Sequence, residues 1–234
     1  ARPFDREDRR PRVAVVLAGI GLHGAQSEEA IRRLHGAITL AVSPYAARPE
    51  PLLDRARARG MELLAALPLE PAGFGTRADP GDRALLTGLP MHENLDRLDW
   101  SLARTPGAVG AVGAEGAMRG ERFAANPELL ATLQSHLTER GLLYLDARPG
   151  APHPARAFGR AVDLVLDEPP AREAVERRLG ELEALARANG SALGYAADPV
   201  PSVVAAIAAW SAGLEARGLT LAPVTAVIRR PTER

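Results

Sequence analysis

Cysteine is absent from the 234-residue chain, which removes disulfides, thiol nucleophiles and thiolate metal sites together and leaves either redox compartment open. Neither sign of charge is in excess: 29 basic side chains face 29 acidic ones, so no net field draws the chain to nucleic acid or to an anionic membrane. No nucleic-acid partner is expected. The longest apolar stretches, Val13 to Ala18 and Val203 to Trp210, fall far short of the roughly 20 residues that span a bilayer, so no transmembrane segment is expected either. Aromatics are few, at 4 %. Ala, Leu, Gly and Arg dominate instead, a bias of GC-rich coding that carries little functional signal. The polar start, residues 1–11, has no initiator Met and no apolar signal core. It reads as a disordered lead-in below a removed upstream segment, with residues 12–228 as one domain and 229–234 as a tail.

What is present is alternation. Short β-rich apolar runs recur between longer stretches of helical spacing, the pattern of βα units around a mainly parallel sheet. Predicted strands are 12–17, 38–42, 62–66, 109–112, 142–145, 162–166, 191–194 and 220–223. Predicted helices are 27–34, 49–59, 92–105, 127–140, 155–160, 171–189 and 200–217. Gly60, Gly141, Gly190 and Gly218 follow Arg-rich helical stretches, where left-handed C-caps belong. Seven or eight such units suit a compact barrel or a doubly wound sheet. The long loop Pro68 to Leu89 and the Gly/Ala/Val-rich Gly107 to Gly120 are candidate rims of a pocket.

The motifs are sparse. Gly19-Ile20-Gly21-Leu22-His23-Gly24 matches G-x-G-x-x-G after the first strand, but the acidic residue expected about 20 positions on is missing. A plain Gly-rich turn is the better reading, with dinucleotide binding through Gly19 to Gly24 a minor alternative. The histidines His23, His35, His92, His136 and His153 include no i, i+4 pair, and no G-x-S-x-G marks a nucleophile elbow. At the predicted strand ends stand Ala18-Gly19, Ala66-Leu67-Pro68, Asp146-Ala147-Arg148, Asp167-Glu168 and Gly194-Tyr195. Asp146 and Arg148, at alternate positions, could fix a sugar or an acetate or form a structural ion pair. The charged run Arg172 to Arg187 fits a solvated helix face.

Read in order, Val13 to Gly21, Ile38 to Tyr45, Gly60 to Pro71, Leu85 to Leu89, Pro106 to Gly110, Arg122-Phe123 with Asn126-Pro127-Glu128, and Gly141 to Arg148 resemble the divergent polysaccharide deacetylases. The collinearity runs from about Arg12 to Val227. This resemblance implies an α/β deformed (β/α) barrel of about seven parallel strands, a divalent metal such as zinc, hydrolysis of acetyl groups on carbohydrates, and a periplasmic or otherwise exported location. It also marks departures. Where the family has an Asp-Asp pair, this chain has Ala18 and Gly19. Ala66 stands for a metal-binding His, the stretch Ala111 to Gly120 for an Asn-Asn-His-Met-Gly loop, and Gly194-Tyr195 with Ala196 to Pro201 for a Gly-His-Pro segment.

Ala and Gly supply no ligand atoms, so no metal and no other cofactor is expected. The chain reads as a catalytically inactive relative that binds a polysaccharide or peptidoglycan glycan, or an envelope protein. Glu70, Asp146, Arg148 and Tyr195 are the candidates to line the former site. The alternative is an active metal-dependent deacetylase with relocated ligands, for example His23, Glu115 and Asp198.

Overall fold

The structure, a computed structural model, describes residue 5 and residues 7–232. Residues 1–4 and 6 of the expected lead-in, and the last two of the tail, lie outside the described residues. In chain order the elements are β1 (Arg12–Ile20), α1 (Gly24–Arg33), β2 (Thr39–Val42), α2 (Glu50–Ala58), β3 (Leu63–Ala66), α3 (Met91–Ala103), β4 (Gly110–Val112), α4 (Glu121–Ala124), α5 (Pro127–Glu139), β5 (Leu143–Asp146), β6 (Gly159–Ala161), β7 (Leu164–Val165), α6 (Arg172–Asn189), β8 (Ser191–Ala196), α7 (Pro201–Ala212) and β9 (Thr220–Leu221). Among the described residues no helix is long and apolar enough to cross a membrane.

Among the described residues the pairings between these strands are all parallel, in the order β6-β5-β4-β3-β2-β1-β8-β7, with β9 on the start of β1. The outermost strands, β6 and β7, are separated only by Val162 and Asp163. One bent segment therefore pairs with β5 through its first half and with β8 through its second, and the two ends of the sheet meet. Counted as one strand, that segment gives seven around a deformed barrel, with β9 wedged at its base.

Alternation along β1 shows how the barrel is filled. Ala14, Val16 and Ala18 point into the interior cluster, while Val13, Val15 and Leu17 face the helices, as the two-residue period of a strand requires. α1, α2, α6 and α7 cover one outer side. α3 and α5 cover the other through Leu98, Leu129, Leu133 and Leu137. Helix starts and stops follow local chemistry: Asn126 caps α5 by accepting from Glu128 and Leu129 N–H ahead of a proline in the first turn.

The predicted C-cap glycines Gly60, Gly141, Gly190 and Gly218 all take positive φ, from 70° to 77°. The predicted helix 155–160 is corrected to bends leading into β6. At Gly159 the backbones approach so closely that a Cβ would lie 1.7 Å from the Tyr144 carbonyl oxygen, which excludes any side chain. The predicted strand 162–166 is likewise corrected to the bend and β7, and helix 200–217 to α7 followed by a single 3-10 turn at Glu215–Arg217.

The bend is held by charge. Arg160, buried on β6, donates to Asp163 Oδ2 (2.6 Å), Ser191 Oγ (3.2 Å) and Val227 O (3.4 Å), and Asp163 Oδ2 also accepts Leu193 N–H at 2.7 Å. Removing the half-buried Asp163 leaves buried Arg160 with neutral acceptors only, among them Ser191 Oγ and Val227 O, and its charge uncompensated. Asp163→Ala is expected to cost roughly 3 kcal/mol and Asp163→Asn, which keeps an acceptor for Leu193, clearly less. Urea denaturation of the two variants checks both the size and the order.

Candidate functional site at the barrel mouth

The carboxyl ends of the strands converge at one mouth, where parallel α/β folds carry their chemistry. Here the inward positions are small. Ala18 on β1, Ala66 on β3, Ala114 beyond β4, Ala147 beyond β5 and Ala197 beyond β8 all belong to the interior cluster, none more than 7 % exposed. Ser43, beyond β2, is buried with them.

A loop from Gly113 to Gly120 closes over this alanine collar. Glu115 and Met118 exchange backbone hydrogen bonds of 2.9 and 3.1 Å. From inside the barrel the Tyr195 hydroxyl donates to Gly116 O at 2.7 Å, and Arg119 reaches Glu168 across the rim. The loop carries one carboxyl inward: Glu115 is 5 % exposed and neither of its oxygens has a hydrogen-bond partner. Burial pushes that carboxyl up to about 7. The Ser43 hydroxyl, near but outside hydrogen-bond geometry, offsets only part of the desolvation.

Asp167, beyond β7, is a further buried acid, and the other one with an unpartnered oxygen among the described residues. Its Oδ2 accepts Ala197 N–H (2.7 Å) and Asp198 N–H (3.2 Å) while Oδ1 has no partner, and burial outweighs those bonds to raise its pKa. Both carboxyls act on Tyr195, whose phenol is raised by burial first and by Glu115 next.

The candidate residues fall into separate places. Glu70, beyond β3, holds the long loop to α4: one oxygen takes Arg122 Nε at 3.0 Å and the other Thr87 Oγ1 at 2.6 Å. Asp146 and Arg148 are brought together as a two-point ion pair of 2.9 and 2.7 Å. By strand alternation Asp146 follows outward-facing Tyr144, away from the interior set of Leu143, Leu145 and Ala147. Tyr195 alone of the four faces the interior, beside Glu115. From the sequence Glu115 was named only as an example of a relocated ligand, with His23 and Asp198, and Asp167 as a strand-end acid; Ser43 carried no sequence signal.

Gly19 and Gly21 have φ of 70° and 98°. A Cβ on Gly21 would lie 2.5 Å from Ala46 Cβ, and the Gly21 N–H donates to buried Ser27 Oγ at 2.9 Å. Turn geometry and close packing account for both glycines.

A hydrolytic metal centre needs about three converging donors and an open position. Among the described residues no three His, Asp or Glu side chains lie close enough to hold an ion. His23 is exposed at the start of α1 while Glu115 is buried, and the donors present among the described residues do not fit a catalytic divalent metal.

A deformed parallel barrel with its loops gathered over the strand ends defines a polysaccharide-deacetylase-like domain. The chain belongs to the divergent polysaccharide deacetylase family, which its residues 15–228 match. No curated protein matches it in sequence. Among solved structures it is similar to an uncharacterized protein from Agrobacterium tumefaciens C58, with TM-score 0.87 and 32 % identity over 97 % of this chain and 92 % of that one. The catalytic domain of peptidoglycan N-acetylglucosamine deacetylase from Eubacterium rectale shares the fold at TM-score 0.62 and 14 % identity, covering 96 % and 93 % of the two chains. A CE4 family pseudoenzyme from Bacillus anthracis does so at TM-score 0.54 and 12 % identity, covering 94 % of this chain and 66 % of that one.

Glu115 sets a pH dependence. A carboxyl whose pKa rises on folding stabilises the native state fully below its unfolded value near 4.5, and that contribution is lost as pH rises through about 7. Across this window stability is expected to fall by on the order of 3 kcal/mol. Glu115→Gln should remove most of that slope, as read from thermal melts at successive pH values.

Proposed function

We propose that this chain is a non-catalytic member of its family that binds a polysaccharide or peptidoglycan glycan, or an envelope protein, in the periplasm or another exported location. The alanine collar carries the reading. At Ala18, Gly19 and Ala66 the family resemblance places an Asp-Asp pair and a metal-binding His, and none of these three residues has a side-chain donor for a cation. The positions are also packed: a Cβ on Gly19 would meet Pro199 Cδ at 3.0 Å and Ala197 O at 3.1 Å, so an aspartate there would need the neighbouring turn to move. The existence of a pseudoenzyme with this fold is consistent with the reading.

One observation favours the alternative of a deacetylase with a rebuilt centre. Glu115 is a buried, unpartnered carboxyl with a pKa near neutrality, the property of a general base. The two readings diverge in simple measurements. The non-catalytic reading expects purified protein with zinc well below one ion per chain, no acetate release from acetylated chito-oligosaccharides or peptidoglycan fragments with or without added metal, and co-sedimentation with insoluble peptidoglycan. Stoichiometric zinc with chelator-sensitive acetate release, abolished in Glu115→Gln, would replace it with the enzymatic one.

A further inference from the structure

At the base of the barrel, opposite the mouth, the starts of β1 and β8 border a cavity of about 480 Å³. Among the described residues it is lined by Arg9, Arg10, Arg12 and Arg229 against one carboxylate, Asp8. That carboxylate is already taken: Arg10 Nε lies 3.1 Å from each Asp8 oxygen and Arg10 Nη2 2.7 Å from Oδ2. Arg12 is anchored on Ala226 O at 3.2 Å. Arg9 and Arg229 are exposed, and among the described residues neither is engaged by an acidic side chain.

Arg10 is further paired with Glu215 at 3.5 Å, so the uncommitted charge of the cluster is that of Arg9 and Arg229, and a second observation bears on Arg229. Arg229 also borders an adjoining cavity of about 390 Å³ that contains Arg160, and the two guanidinium groups repel. The acid nearest that contact, Asp163, is committed to Arg160 and to Leu193 N–H. All 29 basic residues of this chain are arginine, so the base offers only planar forked donors, the geometry that fits carboxylate and phosphate oxygens in pairs.

The cavity is far larger than a bare oxyanion needs and falls in the range of small-molecule sites. Ala226 and Ile228 give it an apolar wall beside the arginines. We propose that this basal cavity binds an organic phosphate, with Arg9 and Arg229 as the forks that hold the phosphoryl oxygens and Ala226 and Ile228 packing on the organic part. The ligand is a soluble phosphate ester or the headgroup of an anionic phospholipid, which present the same chemistry. The assignment is independent of whether the mouth is catalytic.

Isothermal titration with glycerol 3-phosphate and with inorganic phosphate, at an ionic strength fixed with sodium chloride, tests it. Saturable binding is expected, weakened about tenfold or more in Arg9→Gln and in Arg229→Gln, as loss of a charge-assisted fork implies, and unchanged in Arg77→Gln, an exposed arginine of another cavity. Arg9 and Arg229 are exposed, so matched melting curves should confirm that the variants fold. Co-sedimentation with phosphatidylglycerol and phosphatidylcholine vesicles separates the sources. Retention on the former alone, lost in Arg229→Gln, assigns the headgroup; titration binding without retention assigns a soluble ester. The proposal is overturned if neither phosphate probe nor vesicle binds, or if Arg9→Gln and Arg229→Gln bind like the unaltered chain.

Discussion

The architecture depends on one short bend. Between Gly159 and Val165 the chain leaves β5, turns through Val162 and Asp163, and joins β8, so that a sheet which could have stayed open becomes a barrel. Two constraints make that possible. Gly159 lets two backbones meet where any Cβ would collide with Tyr144 O, and the Arg160–Asp163 pair ties the bend to β8 through Leu193 N–H and Ser191 Oγ. A partly buried ion pair is a weak source of net stability but a strong source of geometry. Its role here is to fix the point of closure.

Closure in turn decides what the mouth can be. It sets the loop after β4 opposite the end of β8, so that Tyr195 can donate to Gly116 O and the collar of Ala18, Ala66, Ala114, Ala147 and Ala197 is sealed beneath. Packed apolar surface stabilises the sealed arrangement, and the buried carboxyls oppose it. Unpaired buried acids are costly enough that they persist only when something else holds them in place or uses them. The loop's ties through Tyr195 and Arg119 supply the holding. A use is what the non-catalytic and enzymatic readings describe differently.

Much of this was legible in the residues. The two-residue alternation of β1, the βα rhythm and the four positive-φ C-cap glycines are properties of local chemistry, and they come out where the pattern put them. The failures are non-local. Ala155 to Arg160 has helical composition, yet whether it coils or extends is decided by Tyr144, a neighbour in space that the local pattern does not name. Asp146 and Arg148 were legible as a pair because they are two residues apart on an extended segment. Glu115 was named only as a possible relocated ligand; its burial was not legible, since a carboxyl in a Gly/Ala-rich loop looks solvated until the barrel closes around it.

Zero net charge also conceals a polarity along the barrel axis. In a βα barrel the helices run antiparallel to the strands, so their N-termini gather at the mouth and their C-termini at the base. First-turn acids Glu50, Glu93, Glu128 and Glu173 and last-turn bases Arg32, Arg33, Arg55, Arg57 and Arg187 follow that arrangement, as the helix dipole favours. This accounts for arginines at helix ends without any ligand. It does not account for Arg9 or Arg229, which lie on no helix and border a cavity whose only acid is already paired. After the dipole has been satisfied, positive charge is left over at the base, and an anion from outside the chain is the partner its geometry fits.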